Sequence, residues 1–599
     1  MKRLLSLCKT LGVCLALLLC QHAAQAAAAL PITTPVISCE QLAKIDFIKT
    51  ASVPMHITAA RITSTPKGSF CQVTGSIAPR IGFEVYLPAE HWTQRFLQTG
   101  CGGLCGNINI NVGNAQRCTP ALNGEFVVSS NDMGHAGSMM DASWAADPQK
   151  RIDFAYRANH LTALASKAII QRYYGKQTAF SYFMGCSDGG REALMEAQRY
   201  PDDFDGISAG APAAFFQFQN SFFHAWNVVG NLRPDGTSIL LKGKLPVLHR
   251  AVIEHCSTQS GVNDGLLANP FACKIDPAWL PHCKTGAKDT DQCLSSEEIA
   301  AAMRLYAGAS DAQGQQFVLS GQVPGSELNW PVPATPDGQP MSVMMAMPAL
   351  QYVLLPETMP GMKSLAAFPL TQKNFDRVAA LAPLYNAANT NLGKFSQHGG
   401  KLIMWHGLAD DSVSPGFSIA YYRGVQKALG AAATDRFLRL FLLPGVGHCG
   451  HGEGYDQIDI LSALMAWTEQ AQAPAMILST KVAQDPRAFP PMDGKPPMAA
   501  KPPMGKGKPS AAAQFHGMMP PSSPLADAGK PALATRPVYP YPYIAHYLGH
   551  GDALDAANYA PVRSVAFDAL TFGEPAIGYI GPDNQKNYVV KDGKLEVTQ

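Results

Sequence analysis

The spacing of apolar positions changes character along the chain. Residues 82–88 alternate apolar and polar, and 95–98 form a second short apolar run. Both read as strands, and the glycines at Gly100, Gly102, Gly103 and Gly106 predict a tight turn after them. Residues 126–130 read as a further buried strand, and 154–174 carry helical spacing. A strand at 180–185 leads into a helix from Gly190 to about Tyr200, and strand character returns at 401–405 and 436–443. Strands that alternate with helices predict an α/β chain built on a mostly parallel sheet covered on both faces.

The alternation weakens between about 213 and 395. That stretch holds four cysteines, several prolines and a methionine-rich run at 341–347, and it reads as an inserted cap, or lid. Residues 484–534 are rich in proline, lysine and methionine, with Lys-Pro-Pro-Met occurring twice. Such a segment buries too little apolar surface to offset its ordering entropy, so a disordered insertion is expected. The organisation expected is a signal segment at 1–26, a first core part at 27–212, the cap at 213–395, and a second core part at 396–483. The insertion at 484–534 and a C-terminal segment at 535–599 packed on the core complete it.

Composition narrows the function classes. The 599 residues are 47% hydrophobic and 15% charged, which suits a large folded core and excludes a wholly disordered chain. Lys+Arg 47 against Asp+Glu 45 offers no concentrated basic character for nucleic acid. Lys2 and Arg3, the apolar run 11–20 and Ala24-Gln25-Ala26 together read as a secretory signal, with an apolar run too short to span a membrane. Its cleavage removes Cys8, Cys14 and Cys20 and leaves eleven cysteines, an odd number, in an oxidising secreted or periplasmic setting.

The sharpest chemical signal is Gly185-Cys186-Ser187-Asp188-Gly189, a G-x-S-x-G between a predicted strand and a predicted helix. Small flanking residues permit the tight turn that lifts a serine hydroxyl above a sheet, and the helix N-terminus beyond it offers N–H groups to an oxyanion. A nucleophilic serine needs a base, and the base an orienting carboxylate, in the chain order serine, acid, histidine. Asp410 and Asp411 follow the 401–405 strand, and His448 follows the 436–443 strand, with His406 and His451 as rival bases. Order and loop position favour His448. Cys186 adjoins the serine and Cys449 adjoins that histidine, so a disulfide between them would staple the two loops.

These residues carry a resemblance to the tannase and feruloyl esterase family, which includes the bacterial mono(hydroxyethyl) terephthalate hydrolase. The motifs are Gly185-Cys186-Ser187-Asp188-Gly189-Gly190-Arg191-Glu192, Gly206-Ile207-Ser208-Ala209-Gly210-Ala211-Pro212, His406-Gly407-x-x-Asp410 and Pro444-Gly445-x-x-His448-Cys449. The resemblance implies an α/β-hydrolase core with an inserted cap and a Ser187–His448–Asp410 triad, preferring Asp410 to Asp411. It implies an oxyanion hole from the backbone N–H groups of Asp188 and Gly103. It implies disulfides Cys186–Cys449, Cys39–Cys71, Cys256–Cys273 and Cys283–Cys293. Cys101, Cys105 and Cys118 then remain, room for one pair and one free thiol. A further bridge of the family falls here on Tyr539 and Pro561. The family's cap calcium site maps onto Ser257, Ser260, Asp264 and the carbonyls of Val262 and Leu266, where one carboxylate makes a weak site.

The function expected is a secreted serine carboxylic-ester hydrolase acting on esters of hydroxycinnamic or gallic type through an acyl-enzyme. Its partner is a small aromatic ester, and no cofactor is required for the chemistry. No nucleic acid is expected, and no membrane once the signal is cleaved. Met344, Met345, Met347, Leu350, Tyr352, Leu355 and Phe368 offer an apolar wall. No arginine in the cap matches the carboxylate clamp of the terephthalate monoester hydrolase. The alternatives are a hydrolase of terephthalate-type or other small aryl esters, and a non-catalytic ligand-binding member of the fold.

Overall fold

A computed structural model describes residues 30–47, 54–110, 115, 117–284, 291–311, 313–483, 531–572, 575–582 and 584–598. The expected signal segment and residues 484–530 of the expected insertion lie outside the described residues.

Nine strands form one sheet: β1 (Met55–Thr65), β2 (Gly68–Ile77), β3 (Ile81–Pro88), β4 (Arg95–Thr99), β5 (Phe126–Asn131), β6 (Phe180–Cys186), β7 (Gly206–Gly210), β8 (Lys401–Gly407) and β9 (Leu438–Leu443). Their order is β1-β2-β3-β5-β4-β6-β7-β8-β9. β1, β2 and β3 pair antiparallel, β3 joins β5 antiparallel, and every pairing from β5 to β9 is parallel. Every residue of β4 and β7 is buried, as a parallel sheet covered on both faces requires. The β1–β2 hairpin was not anticipated. Its first strand is largely exposed and lacks a clean apolar alternation.

Helix α1 (Ala158–Tyr174) connects β5 to β6, and α2 (Asp188–Arg199) connects β6 to β7. α2 begins two residues earlier than the glycine pair suggested, directly after Ser187. Between β7 and β8 lie α3 (Leu245–Cys256), α4 (Ser296–Ala307) and α5 (Met341–Pro348), with no strand of the main sheet among the described residues. Leu248 of α3 and Leu305 of α4 share an apolar cluster with Trp330. In the methionine-rich region Leu350, Leu355 and Phe368 are buried in the main core, so they are packing residues and not an open wall. Met344, Met345, Met347 and Tyr352 stay half-exposed.

α6 (Pro415–Leu429) and α7 (Ile460–Gln470) flank β9 in sequence. A second sheet joins β10 (Gln457–Ile458), β11 (Ile477–Val482) and β12 (Ala532–Val538), all antiparallel. Val482 pairs with Ala532, and Lys481 with Ala534. Residues 532–534, expected within the insertion, instead belong to a strand paired with β11, which composition does not reveal. The chain then returns to the core, where Tyr541 N–H donates to Leu440 O at 2.7 Å. Of the two positions where the family's further bridge falls, Tyr539 donates its hydroxyl to Tyr559 O at 3.2 Å and Pro561 lies opposite Ala545 in a strand pair.

Candidate active site

The turn after β6 is fixed by backbone crowding. A Cβ on Gly185 would lie 2.3 Å from Gly189 O, and one on Gly190 would lie 2.3 Å from Gly210 O, so neither position accepts a side chain. Between them Ser187 is held at φ 64° and ψ −121°, a conformation that a non-glycine residue adopts only when its surroundings enforce it. Its N–H donates to Gly210 O at 3.0 Å and its carbonyl accepts from Ala213 N–H at 3.0 Å. Asp188 opens α2, and first-turn N–H groups have no intrahelical partner. The Asp188 carboxylate is taken by Arg191 in a bidentate pair at 2.6 and 3.0 Å, so the side chain is structural.

The glycine-rich turn lies against the start of α2. A Cβ on Gly189 would meet Cys101 O at 2.8 Å. Gly103 has φ +59°, and a Cβ there would lie 2.7 Å from Met139 O. Within the turn the N–H groups of Gly100, Cys101, Leu104 and Cys105 donate to protein oxygens. That of Gly103 is not among them. Cys101 and Cys105 form a disulfide, and Cys118 is the free, buried thiol, which resolves the trio. Burial pushes the Cys118 thiol up to about 11. Beneath the turn Glu192 accepts from Asn159 at 2.7 Å and from Cys101 N–H at 3.4 Å. Burial, then the nearby Asp188 charge, pushes its carboxyl up to about 8.

Asp410, on the loop after β8, is fully buried. Its Oδ1 accepts from Ser412 N–H at 2.9 Å and Val413 N–H at 2.8 Å. Its Oδ2 faces Nδ1 of His448 at 2.8 Å and Nε2 of His406 at 3.2 Å. Burial alone would raise this carboxyl, but the facing His448 charge and the two histidine hydrogen bonds outweigh it and hold it well below the usual range. For His448 burial acts downward, yet the Asp410 charge and hydrogen bond, with Asp411, carry its imidazole above 6.5.

The rival histidines separate by direction. His406 Nε2 also faces Val413 O at 2.8 Å, so it carries the proton, and Nδ1 accepts from Ser418 Oγ–H at 2.7 Å. It supports Asp410 from below. His451 turns its ring toward Asp456, with Nδ1 4.0 Å from Oδ2, and its backbone N–H donates to the same oxygen at 2.9 Å. The disulfide Cys186–Cys449 joins the Ser187 and His448 loops across 263 residues, with Cα atoms 5.9 Å apart. The expected bridges Cys39–Cys71, Cys256–Cys273 and Cys283–Cys293 are also formed.

Three side-chain amides between β7 and β8 went unnoticed in the sequence. Gln219 donates to Ser412 O at 3.3 Å, Gln322 to Asp411 O at 2.8 Å, and Asn329 to Ala409 O at 3.1 Å. Together they pin the backbone around Asp410. His224 is buried nearby, its Nδ1 3.1 Å from Ser342 Oγ, and burial followed by the His448 charge pushes it down to about 3. No spacing rule singles out such residues, because each acts on a loop distant in sequence.

The expected calcium ligands are engaged otherwise. Ser257 Oγ–H donates to Asn263 Oδ1 at 2.9 Å, and Ser260 Oγ–H donates to Val262 O at 3.1 Å. Asp264 Oδ1 accepts from Leu266 N–H at 3.2 Å, and its Oδ2 is ion-paired with Arg536. Calcium takes six to eight oxygens, several of them anionic. A lone carboxylate already paired with a guanidinium does not fit that ion.

Residues 62–562 match the family described as tannase and feruloyl esterase. The chain belongs to that family of carboxylic ester hydrolases. An uncharacterized esterase of Xanthomonas campestris pv. campestris is 30% identical over 545 residues, covering 83% of this chain and 85% of its own. The mono(2-hydroxyethyl) terephthalate hydrolase of Piscinibacter sakaiensis is 29% identical over 556 residues, covering 82% and 84%. The crystal structure of feruloyl esterase B from Aspergillus oryzae superposes with a TM-score of 0.70 at 21% identity, over 88% of this chain and all of that one. Tannin acyl hydrolase from Aspergillus niger gives 0.67 at 19%, over 91% and all of its chain. The fold is that of an α/β-hydrolase.

Proposed function

We propose that the protein is an exported serine esterase that cleaves esters of aromatic acids, of hydroxycinnamic or gallic type, through an acyl-enzyme. The observation that carries this reading is the Asp410–His448 hydrogen bond, tied by Cys186–Cys449 to a serine held at positive φ. Asp410 keeps the proton on His448 Nδ1, which leaves Nε2 as an acceptor. His448 takes the Ser187 hydroxyl proton as Oγ attacks the ester carbonyl carbon. The N–H groups of Asp188 and Gly103 hold the oxyanion. As the tetrahedral adduct collapses, His448 returns the proton to the departing alkoxide and the acyl group stays on Ser187. Water, deprotonated by the same imidazole, attacks the acyl carbonyl and releases the aromatic acid.

The helical stretch between β7 and β8 acts as the cap, and half-exposed Met344, Met345, Met347 and Tyr352 are its candidates for contact with an aromatic acyl group. The five disulfides among the described residues suit an oxidising compartment outside the cytosol. Similarity to the terephthalate monoester hydrolase over most of both chains supports a second reading, activity on terephthalate-type esters. A hydrolysis screen over methyl ferulate, methyl gallate and a terephthalate monoester separates the two. The ester ranked first by kcat/KM should lose its turnover in Ser187→Ala, and a serine-directed phosphonate should label wild-type protein at Ser187. Full activity in Ser187→Ala would overturn the mechanism, and folded protein that neither labels nor hydrolyses any ester would make the chain a ligand-binding member of the fold.

A further inference from the structure

We propose that Arg536 is the resident cation of the 256–273 loop, its guanidinium standing toward Asp264 where the resemblance places a metal ion. This role is independent of the ester-cleaving reading above.

Arg536 lies on β12 opposite Ser479 of β11, so it reaches its position only when the chain beyond residue 530 returns to pair with β11. It is 4% exposed. Nη1 pairs with Asp264 Oδ2, an oxygen shut off from solvent, and Nη2 donates to the Tyr559 hydroxyl at 2.8 Å. The guanidinium lies over two aromatic rings, Tyr455 at 4.9 Å and Tyr559 at 4.8 Å. A planar cation suits this slot, because it stacks on both rings while presenting its edge to a carboxylate. A compact ammonium does neither as well.

Charge balance favours the same assignment. Asp264 and Arg536 neutralise each other. A divalent ion added beside them would leave two uncompensated positive charges next to a buried guanidinium, and burial makes uncompensated charge costly. Polar groups of the loop itself engage one another: Ser257 with Asn263, Ser260 with Val262 O, and Asp264 with Leu266 N–H. The loop thus has the internal bonding of a finished turn, with a side chain from another element supplying its one cation.

The pairing also bears on the His448 loop. Leu266 packs so closely on that loop that a Cβ on Gly445 would lie 2.5 Å from Leu266 Cδ2. Leu266, Tyr455 and Ala534 form one small buried cluster. Arg536 therefore joins three segments distant in sequence: the 256–273 loop, the stretch just after His448, and β12.

The test uses full-length protein purified without chelator. Metal analysis should find no stoichiometric calcium, and thermal unfolding should give the same Tm in EDTA and in millimolar calcium chloride. Arg536→Met should lower Tm by roughly 5 °C, as expected for a partly buried carboxylate left uncompensated in a large chain, and Arg536→Lys should recover only part of the loss. About one calcium per chain, a wild-type Tm that falls in EDTA, or an Arg536→Met protein that melts like wild type would each overturn the assignment. Should Arg536→Met fail to accumulate folded, the wild-type metal content and EDTA response still decide.

Discussion

Asp410→Asn tests the proposed proton path most directly, because the surrounding donors dictate how asparagine must sit. Oδ1 of Asp410 accepts two backbone N–H groups, from Ser412 and Val413. Asparagine keeps those bonds only by pointing its carbonyl oxygen at them. Its NH2 group then takes the Oδ2 position, facing His406 Nε2 and His448 Nδ1. The His406 proton is fixed by Val413 O, so that contact becomes donor against donor. His448 can accept the new N–H only as the Nε2–H tautomer, which cannot take a proton from Ser187. The same substitution in a serine protease triad costs about 10⁴-fold in kcat, roughly 5 kcal/mol in the barrier, and a loss of that size is expected here with little change in KM.

The assay is initial rates across pH on the best ester from the screen, with thermal melts to confirm the fold. In wild type the acid limb of kcat/KM should lie above 6.5, because the Asp410 charge, aided by Asp411, favours the imidazolium over the effect of burial. Activity rises as that proton leaves. In Asp410→Asn the limb should move down. Asp411→Asn removes only a more distant charge, one already pushed up to about 7 by burial and by Asp410, and should cost far less. Retention of more than about a tenth of wild-type kcat in Asp410→Asn, or a larger loss in Asp411→Asn, would remove Asp410 from the proton path.

Three further outcomes are expected. The Cys186→Ser/Cys449→Ser pair opens a loop of 263 residues, a change worth about 5 kcal/mol on the chain-entropy account, so Tm and kcat should both fall; calorimetry and rates that match wild type would count against the staple. Glu192, held near a pKa of 8, is mostly a neutral acid at pH 7, so Glu192→Gln should keep kcat within about threefold, whereas Glu192→Leu orphans Asn159 and the Cys101 N–H and should lose about tenfold or more. His249 bridges Glu327 at 2.7 Å and Glu453 at 2.9 Å, and although burial acts downward these partners raise it to about 9. A raised folded pKa gives stability that is complete below 6.5 and lost as pH climbs through about 9, so wild-type Tm should drop over that window by more than that of His249→Gln.

The turn around Ser187, the proposed nucleophile, was legible because its constraint is local: backbone crowding at Gly185 and Gly190 demands glycines at fixed offsets from Ser187. The parallel strands were legible for a similar reason, since burial on both faces leaves continuous apolar runs such as those of β6 and β8. Strand β1 escaped notice because an exposed edge needs no such pattern. The early start of β12 escaped because its order comes from β11, about fifty residues upstream. The site divides along the same line. Chain order could favour His448 over His406 and His451, but what separates them physically is which nitrogen faces which oxygen. His406 shares its Nε2 proton between Val413 O and Asp410 Oδ2 and receives one from Ser418 at Nδ1, so both ring nitrogens are engaged. His451 has its ring Nδ1 toward Asp456 Oδ2. His448 is bound to Asp410 through Nδ1 and carries on its next residue the disulfide that ties its loop to the loop of Ser187. Periodicity is silent on that disulfide, yet it is written in the sequence as two cysteines, each one residue from a side chain of the proposed triad. A covalent constraint needs only two named residues to be recognised. The amides of Gln219, Gln322 and Asn329, which hold the Asp410 loop by hydrogen bonds alone, leave no such mark.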